Sequence, residues 1–122
     1  TPLTLIIDGG ATAITTGIKG EFLDLPPCTI AGWTLTGETV SGSGTGSIVL
    51  DVWKDTYANH PATVADTITG SEKPTISSAL KGQDLSLSTW TTAIAQGDTL
   101  RFNVDSCTDL KRVTIAIRVT KT

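Results

Sequence analysis

Apolar residues recur at every second position in short runs throughout this sequence, and this alternation restricts the fold most. The last run is the most regular, with Val113, Ile115, Ile117 and Val119 on one parity. Such spacing places side chains on one face of a β-strand, whereas an amphipathic helix needs spacings of three and four, which no segment sustains. Thr, Val and Ile dominate the runs, and β-branched residues suit a pleated surface. The chain is therefore predicted to be all-β.

Turn residues divide the alternating runs into about eight strands, a pattern typical of an antiparallel β-sandwich of the jelly-roll kind. A closed up-and-down barrel is less favoured. The connections 37–46 and 55–73 are expected to carry the chain between sheets, and 37–46 also reads as an exposed hairpin loop. Residues 1–122 are predicted to form a single β-sandwich domain. The predicted strands cover 3–7, 18–25, 28–36, 47–54, 74–80 (alternatively one helical turn), 84–92, 99–105 and 113–119.

Three local features refine this prediction. Ile18 and Phe22 are predicted to point inward from the second strand. The third strand changes phase at its centre, and a β-bulge at Gly32 would restore its alternation. Val64 and Ile68 are expected to anchor the long polar loop after the fourth strand to the core.

Composition excludes several classes of function. The chain has 122 residues, 17% of them charged, with a net charge of −3. No basic cluster is present to neutralise phosphates, so no nucleic-acid partner is predicted. No apolar run approaches the ~18 residues of a membrane span, and the run 3–7 lacks the basic flank of a signal peptide. Cys28 and Cys107 are predicted to be thiols that pack as small apolar groups, with a single disulfide as the alternative.

Catalytic signatures are missing from the sequence. His60 is the one histidine, it precedes a proline, and no G-x-S-x-G nucleophile motif occurs. One histidine and two distant cysteines do not make a zinc site. Two carboxylate pairs, 51 with 55 and 105 with 109, are too generic to indicate a glycosidase. We therefore predict no enzymatic activity, no catalytic residues, no cofactor and no metal site.

Oxygen-bearing side chains gather at the end of the fourth strand and just after it, and such side chains are the ligands of calcium. Asp51, Asp55, Asn59 and Asp66 could supply ligands, but their spacing matches no EF-hand loop. Asp and Asn in such loops more often form Asx turns and remain solvated. That structural interpretation is favoured over a calcium site.

The most informative cluster combines aromatic and polar side chains in one stretch. Sugars present both an apolar face and hydroxyl groups, so carbohydrate sites commonly join an aromatic platform to Asp or Asn. An alternative remains open, in which Trp53 packs at the sheet edge and Tyr57 clamps the loop. The predicted ligand-binding residues are Asp51, Trp53, Asp55, Tyr57 and Asn59.

Three segments carry a resemblance to a known domain: LIIDGGATAITTGIKGEF, IVLDVWKDTYANHPATVADTITGSEKPTIS and GDTLRFNVDS. They resemble a domain of tailed-bacteriophage virion proteins that occurs near the C-termini of tail-fibre and other tail proteins. The block W-K-D-T-Y-A-N-x-P-x-T-x-A-D-T-I is its distinctive part. The resemblance implies a non-enzymatic β-sandwich located in the virion and assembled as a homotrimer. It assigns no site residues.

Together these observations predict a structural module of the bacteriophage virion, with a tail-fibre or tail-associated domain for host attachment as the leading hypothesis. Its expected partners are other virion proteins and a host cell-surface polysaccharide, bound through residues 51–66. The alternative is a capsid decoration or head-fibre protein that stabilises the particle. A glycan hydrolase is the least favoured class.

Overall fold

The computed structural model describes residues 2–122, which form nine β-strands and two short 3-10 helices. The helices, Tyr57–Asn59 and Val64–Asp66, both lie in the connection between the fourth and fifth strands. No helix in this part of the chain is long and apolar enough to cross a membrane. The strands are β1 (Leu3–Asp8), β2 (Gly17–Phe22), β3 (Cys28–Thr39), β4 (Gly46–Thr56), β5 (Thr75–Ala79), β6 (Lys81–Asp84), β7 (Ala93–Ile94), β8 (Asp98–Thr108) and β9 (Leu110–Lys121).

The strands form two antiparallel sheets whose order is that of a jelly roll. The first sheet runs β1-β9-β3-β6, with the short β7 also paired to β3, and the second runs β2-β8-β4-β5. Early strands pair with late ones in nested fashion, β1 with β9, β2 with β8, β3 with β6 and β4 with β5. This nesting is what a long antiparallel ribbon produces when it rolls over on itself. The predicted antiparallel, jelly-roll-like sandwich is confirmed.

One hydrophobic core fills the space between the sheets, and period-two alternation supplies its side chains. Leu35, Leu50, Phe102 and Ile115 come from four different strands and are each 0% exposed. The Phe102 ring meets the Phe22 ring edge to face, with centroids 5.5 Å apart and planes at 89°. Such pairs are favoured by the ring quadrupoles. The inward orientation predicted for Phe22 is confirmed.

Irregular pairing explains where the alternation fails. Ile18 was predicted to point inward, but it is 49% exposed, because the pairing of β2 with β8 shifts between Ile18 and Gly20. In β3 the predicted bulge is confirmed: Ile30 pairs with Val119 and Gly32 with the preceding Arg118, leaving one extra residue between them. The irregularity in β2 therefore turned Ile18 outward, contrary to the prediction, whereas the bulge in β3 lies where it was predicted.

Two connections differ from their predictions. The loop after β3 joins a strand of the first sheet to a strand of the second. The predicted hairpin is therefore wrong, and the predicted crossing between sheets is confirmed. The 55–73 connection does not cross, because β4 and β5 are neighbours in the second sheet. The chain instead changes sheet between β5 and β6, where a Cβ on Gly82 would lie 2.2 Å from the Thr75 carbonyl oxygen. Only glycine fits this close approach of two backbones.

The predicted strand 84–92 is wrong, whereas 74–80 does contain a strand, β5. Strand β6 ends at Asp84, and the chain beyond it follows an irregular path that buries Trp90. Cys28 is buried, Cys107 is half-buried, and both are free thiols, as predicted. Burial raises the pKa of the Cys28 thiol, which makes it a poorer nucleophile.

Three connections gather at one end of the sandwich, which we call the loop-rich end: 23–27, 57–74 and 85–97. Thr56 at the end of β4 pairs with Asp98 at the start of β8, and the Leu25 N–H donates to the Asp98 carbonyl oxygen at 3.1 Å. The opposite end carries the turn at Asp109 between β8 and β9. Side chains from distant parts of the sequence therefore meet at the loop-rich end.

Neighbouring isoleucines in β1 provide a test of its register. Ile7 is 3% exposed and Ile6 is 61% exposed. We expect Ile7→Ala to lower the free energy of unfolding by about 2–5 kcal/mol, because it leaves a cavity in the core. The matched variant Ile6→Ala should change it by less than about 0.5 kcal/mol. Urea denaturation measures both values, and a larger loss in Ile6→Ala would show that β1 pairs one residue out of register.

Candidate functional site

Asp51 is a buried carboxylate on the outer face of β4, and it is 1% exposed. Its Oδ1 accepts hydrogen bonds from the Val52 N–H at 2.9 Å, the Thr67 hydroxyl at 2.5 Å and the Thr69 hydroxyl at 3.0 Å. Its Oδ2 accepts the Trp53 indole N–H at 3.1 Å. The two threonines belong to the long connection after β4. A single carboxylate therefore fastens that connection to the sheet.

Backbone contacts reinforce this attachment. Thr67 forms an antiparallel bridge with Trp53, and the Ile68 N–H donates to the Val52 carbonyl oxygen at 3.0 Å. Ile68 is 5% exposed and joins the core, as predicted, whereas Val64 is 65% exposed and the prediction that it anchors the loop is wrong. The connection is thus held at residues 67–69, and its earlier part faces solvent.

Opposing influences act on the ionisation of Asp51. Burial is the largest and raises its pKa, but hydrogen bonds from Thr67, Trp53 and Thr69 lower it, and so does the positive charge of Lys73. The Lys73 Nζ lies 3.7 Å from Asp51 Oδ2 and 2.7 Å from Asp105 Oδ2. The net effect is a pKa below the ordinary aspartate value. Asp51 is therefore a charged, fully hydrogen-bonded acceptor at neutral pH.

Glu72 makes a second attachment, between the 57–74 and 85–97 connections. Its carboxylate accepts the Ser88 N–H at 2.8 Å, the Thr89 N–H at 2.6 Å and both hydroxyls. The backbone hydrogen bonds from Thr89 and Ser88 are the main reason that the pKa of Glu72 falls to about 2. The Glu72 carbonyl oxygen also accepts the Trp90 indole N–H at 2.9 Å. Two connections of the loop-rich end are thus tied together.

The five predicted ligand-binding residues separate into a buried group and an exposed group. Asp51 and Trp53 lie under the 67–69 segment, and Trp53 is 8% exposed. Asp55 is half-buried, and its Oδ1 accepts the Asn59 amide N–H at 3.2 Å. Tyr57 is 75% exposed. In this conformation Tyr57, Asn59 and the edge of Asp55 are the members that a ligand can reach.

Tyr57 borders a shallow pocket of about 420 Å³ that it shares with Leu23, Asp24 and Gly97. This volume falls within the ~300–1,000 Å³ usual for small-molecule sites. Leu23 is 56% exposed, and it presents an apolar side chain to the same pocket as the phenol ring. Sequence reasoning missed Leu23 and Asp24. The sequence offered no signal for them, because both fall inside the predicted second strand, 18–25, whereas β2 ends at Phe22.

The remaining titratable side chains of the region have structural partners. His60 Nδ1 lies 3.8 Å from Glu21 Oε2, and Glu21 also pairs with Arg101 at 3.3 Å. Asp66 Oδ2 accepts the Thr63 N–H in a capping box. Across residues 2–122, no group of three or more His, Cys, Asp or Glu side chains is arranged to hold a metal ion.

No protein family, curated protein or solved structure matches this chain. The resemblance to domains of phage tail proteins therefore stays a prediction, together with the virion location and the trimer that it implies. The proposed virion location rests on that resemblance, and the proposed binding site rests on the jelly-roll architecture and the side chains at the loop-rich end.

The buried carboxylate gives the first test of this site. We expect Asp51→Ala to lower the free energy of unfolding by about 1–3 kcal/mol or more, because the buried Trp53 N–H and threonine hydroxyls lose their acceptor. Lys73→Ala removes a half-exposed charge and leaves those hydrogen bonds intact, so it should cost less than about 1 kcal/mol. Denaturant unfolding followed by tryptophan fluorescence measures both. Equal losses would mean that charge pairing, not hydrogen bonding, holds the connection.

Acid should weaken the second attachment. The pKa of Glu72 is lowered from 4.5 in a free glutamate to about 2 in the fold, so the unfolded chain takes up the proton first. The stability that Glu72 contributes is therefore complete above pH 4.5 and is lost as the pH falls through about 2.

Other aspartates with lowered pKa values act in the same direction, so the informative quantity is the difference between wild type and Glu72→Gln. We expect wild type to be the more stable at pH 6 and this advantage to shrink steadily toward pH 2. Urea unfolding across that range measures it. A difference that stays constant with pH would show that the Glu72 hydrogen bonds do not depend on its charge.

Proposed function

We propose that this chain is a non-enzymatic carbohydrate-recognition module of a bacteriophage virion, with Tyr57 as the stacking platform for a sugar ring. The observation that carries the proposal is the exposure of Tyr57, 75%, beside an exposed leucine at the rim of a pocket. Jelly rolls include viral capsid and lectin domains, which supports the proposal by analogy of fold. The resemblance to tail proteins supports the virion location.

The setting of Tyr57 favours binding over accidental exposure. It begins a 3-10 helix whose last residue, Asn59, is hydrogen-bonded back to Asp55. The same connection is fastened below by Asp51 and Thr67. An aromatic ring on a fixed support loses little conformational entropy when a ligand stacks on it. A sugar would gain an apolar contact from the ring and hydrogen bonds from nearby oxygen atoms.

The proposed function involves no catalysis, and the chemistry of the predicted site supports this. Hydrolysis of a glycoside by the usual route needs two carboxyl groups flanking the bond, one of them with a raised pKa. The shifts at Asp51 and Asp55 are both downward, and Asp51 is buried against its own donors. These groups are suited to accepting hydrogen bonds and unsuited to donating a proton.

A second candidate, a capsid decoration protein, is favoured by the outer face of the first sheet. Thr4, Ala116, Thr34 and Gln83 form one row across four strands, and all four are exposed or half-exposed. An accessible sheet face of mostly uncharged side chains suits contact with a regular shell. Immunogold labelling of intact particles distinguishes the candidates, since label at the distal tail supports recognition and label over the head supports decoration.

Removing the ring of Tyr57 tests the leading proposal. We expect Tyr57→Ala to weaken binding to host surface polysaccharide by about 1–3 kcal/mol, because the stacking surface is lost. Tyr57→Phe keeps the ring and should retain most of the affinity. Glycan-array screening followed by calorimetric titration measures the effect.

Val64→Ala is the matched control, because Val64 is also exposed on the same connection. It should bind as wild type does. Unchanged affinity in a folded Tyr57→Ala variant would remove Tyr57 from the site, and binding of wild type to no host glycan would refute carbohydrate recognition.

A further inference from the structure

The pocket beside Tyr57 contains one charged side chain, Asp24. Its backbone lies in the left-handed region, with φ at 53°. The next residue, Leu25, is fixed to the 95–98 turn by two hydrogen bonds. The Leu25 N–H donates to the Asp98 carbonyl oxygen at 3.1 Å, and the Leu25 carbonyl oxygen accepts the Gly97 N–H at 2.8 Å. Asp24 is therefore placed at the pocket by a hydrogen-bonded turn, and its exposed side chain is not needed to hold that turn together.

The Asp24 carboxylate has unused acceptor capacity. Among the side-chain hydrogen bonds and ion pairs of residues 2–122, none involves it, in contrast to Asp51 and Glu72. An ionised carboxylate accepts hydrogen bonds at two oxygens and donates none. A ligand that fits this group must therefore supply donors, which the hydroxyl groups of a sugar do.

The surrounding charge is also negative. Asp55 lies two residues before Tyr57, and hydrogen bonds from the Thr56 N–H and Asn59 hold its pKa below the ordinary value. The nearest basic side chain of β4 is already engaged, because the Lys54 Nζ donates to the Ala93 carbonyl oxygen at 2.6 Å and lies 3.8 Å from Asp98 Oδ2. Asp24 is the charged side chain that lines the pocket itself, so a second negative group brought there meets like charge at close range.

We infer that Asp24 makes the Tyr57 pocket selective for uncharged, hydroxyl-donating sugars and against sugars that carry a carboxylate. The inference rests on the proposed carbohydrate-binding function and adds the class of ligand to it. Tyr57 supplies an apolar surface for the sugar ring, and Asp24 supplies a hydrogen-bond acceptor for its hydroxyl groups. The carboxylate of a uronic or sialic acid would be repelled by the negative charge of Asp24.

Asp24→Asn tests this assignment with little risk to the fold, because asparagine also tolerates positive φ. Asp109→Asn is the matched control: Asp109 is an exposed aspartate with φ at 60°, and it lies at the opposite end of the sandwich. Each variant is titrated with neutral hexose and N-acetylhexosamine oligosaccharides and with matched oligosaccharides that carry glucuronic or sialic acid.

Wild type should bind the neutral set at least about tenfold more tightly than the acidic set. One charge pair at close range in water is worth about 1 kcal/mol, so Asp24→Asn should narrow this ratio roughly fivefold while Asp109→Asn leaves it unchanged. High salt should narrow the ratio for wild type, since it screens an exposed charge.

The outcomes separate the two proposals. Equal binding of neutral and acidic sugars by wild type, or a ratio that Asp24→Asn leaves unchanged, overturns the selectivity and leaves carbohydrate binding standing. Parallel effects of Asp24→Asn and Asp109→Asn would show that net charge, not the pocket, sets the ratio, and would also overturn it. Binding of wild type to neither set overturns both proposals.

Discussion

A buried carboxylate on the outer face of β4 governs how the loop-rich end of this sandwich is built. Moving an ionised aspartate out of water costs several kcal/mol unless donors replace the lost hydration. Asp51 finds four donors, and two of them, from Thr67 and Thr69, come from the connection that covers it. Burial and attachment depend on each other here, because the covering segment both excludes water and supplies the hydrogen bonds that make burial tolerable. Because hydrogen bonds are directional, Asp51 fixes the position of residues 67–69 on the sheet and does not merely hold them in contact with it.

A second carboxylate, on the same connection, joins it to the 85–97 connection. Five residues beyond Thr67, Glu72 binds the backbone of Ser88 and Thr89, and the Trp90 indole donates to the Glu72 carbonyl oxygen. The two connections thereby become one surface although neither contains more than short helical turns or a two-residue strand. Loops carry recognition best when a rigid scaffold positions them. At this end of the sandwich two carboxylates provide that positioning: Asp51 on β4 fastens one connection to the sheet, and Glu72 joins that connection to the next one.

Sequence alternation predicted the strands and their inward faces, but it did not predict what covers the outward faces. Trp53 lies on the outward face of β4, and its burial depends on a threonine fourteen positions later in the chain. Ile18 was misplaced because a bulge is a property of two paired strands and not of one. Asp24 was missed for a similar reason, since only folding brings it beside Tyr57. Local spacing records which way a side chain points, whereas a site at the meeting of loops depends on contacts between distant segments.

Trp53 and Tyr57 were both predicted to contact a ligand. In the structure Trp53 is buried and Tyr57 is exposed. For Trp53 to stack on a sugar, the 67–69 segment would have to leave, and Asp51 would then lose its threonine donors. Tyr57 requires no such rearrangement, because no buried polar group depends on its position. Stability therefore resides in the inner part of the connection, 67–73, and the proposed ligand contact in the outer part, at Tyr57 and its supporting helix, 57–59. A domain divided in this way can change residues 57–59, and with them the proposed contact surface, without loosening the carboxylate that holds the connection to the sheet.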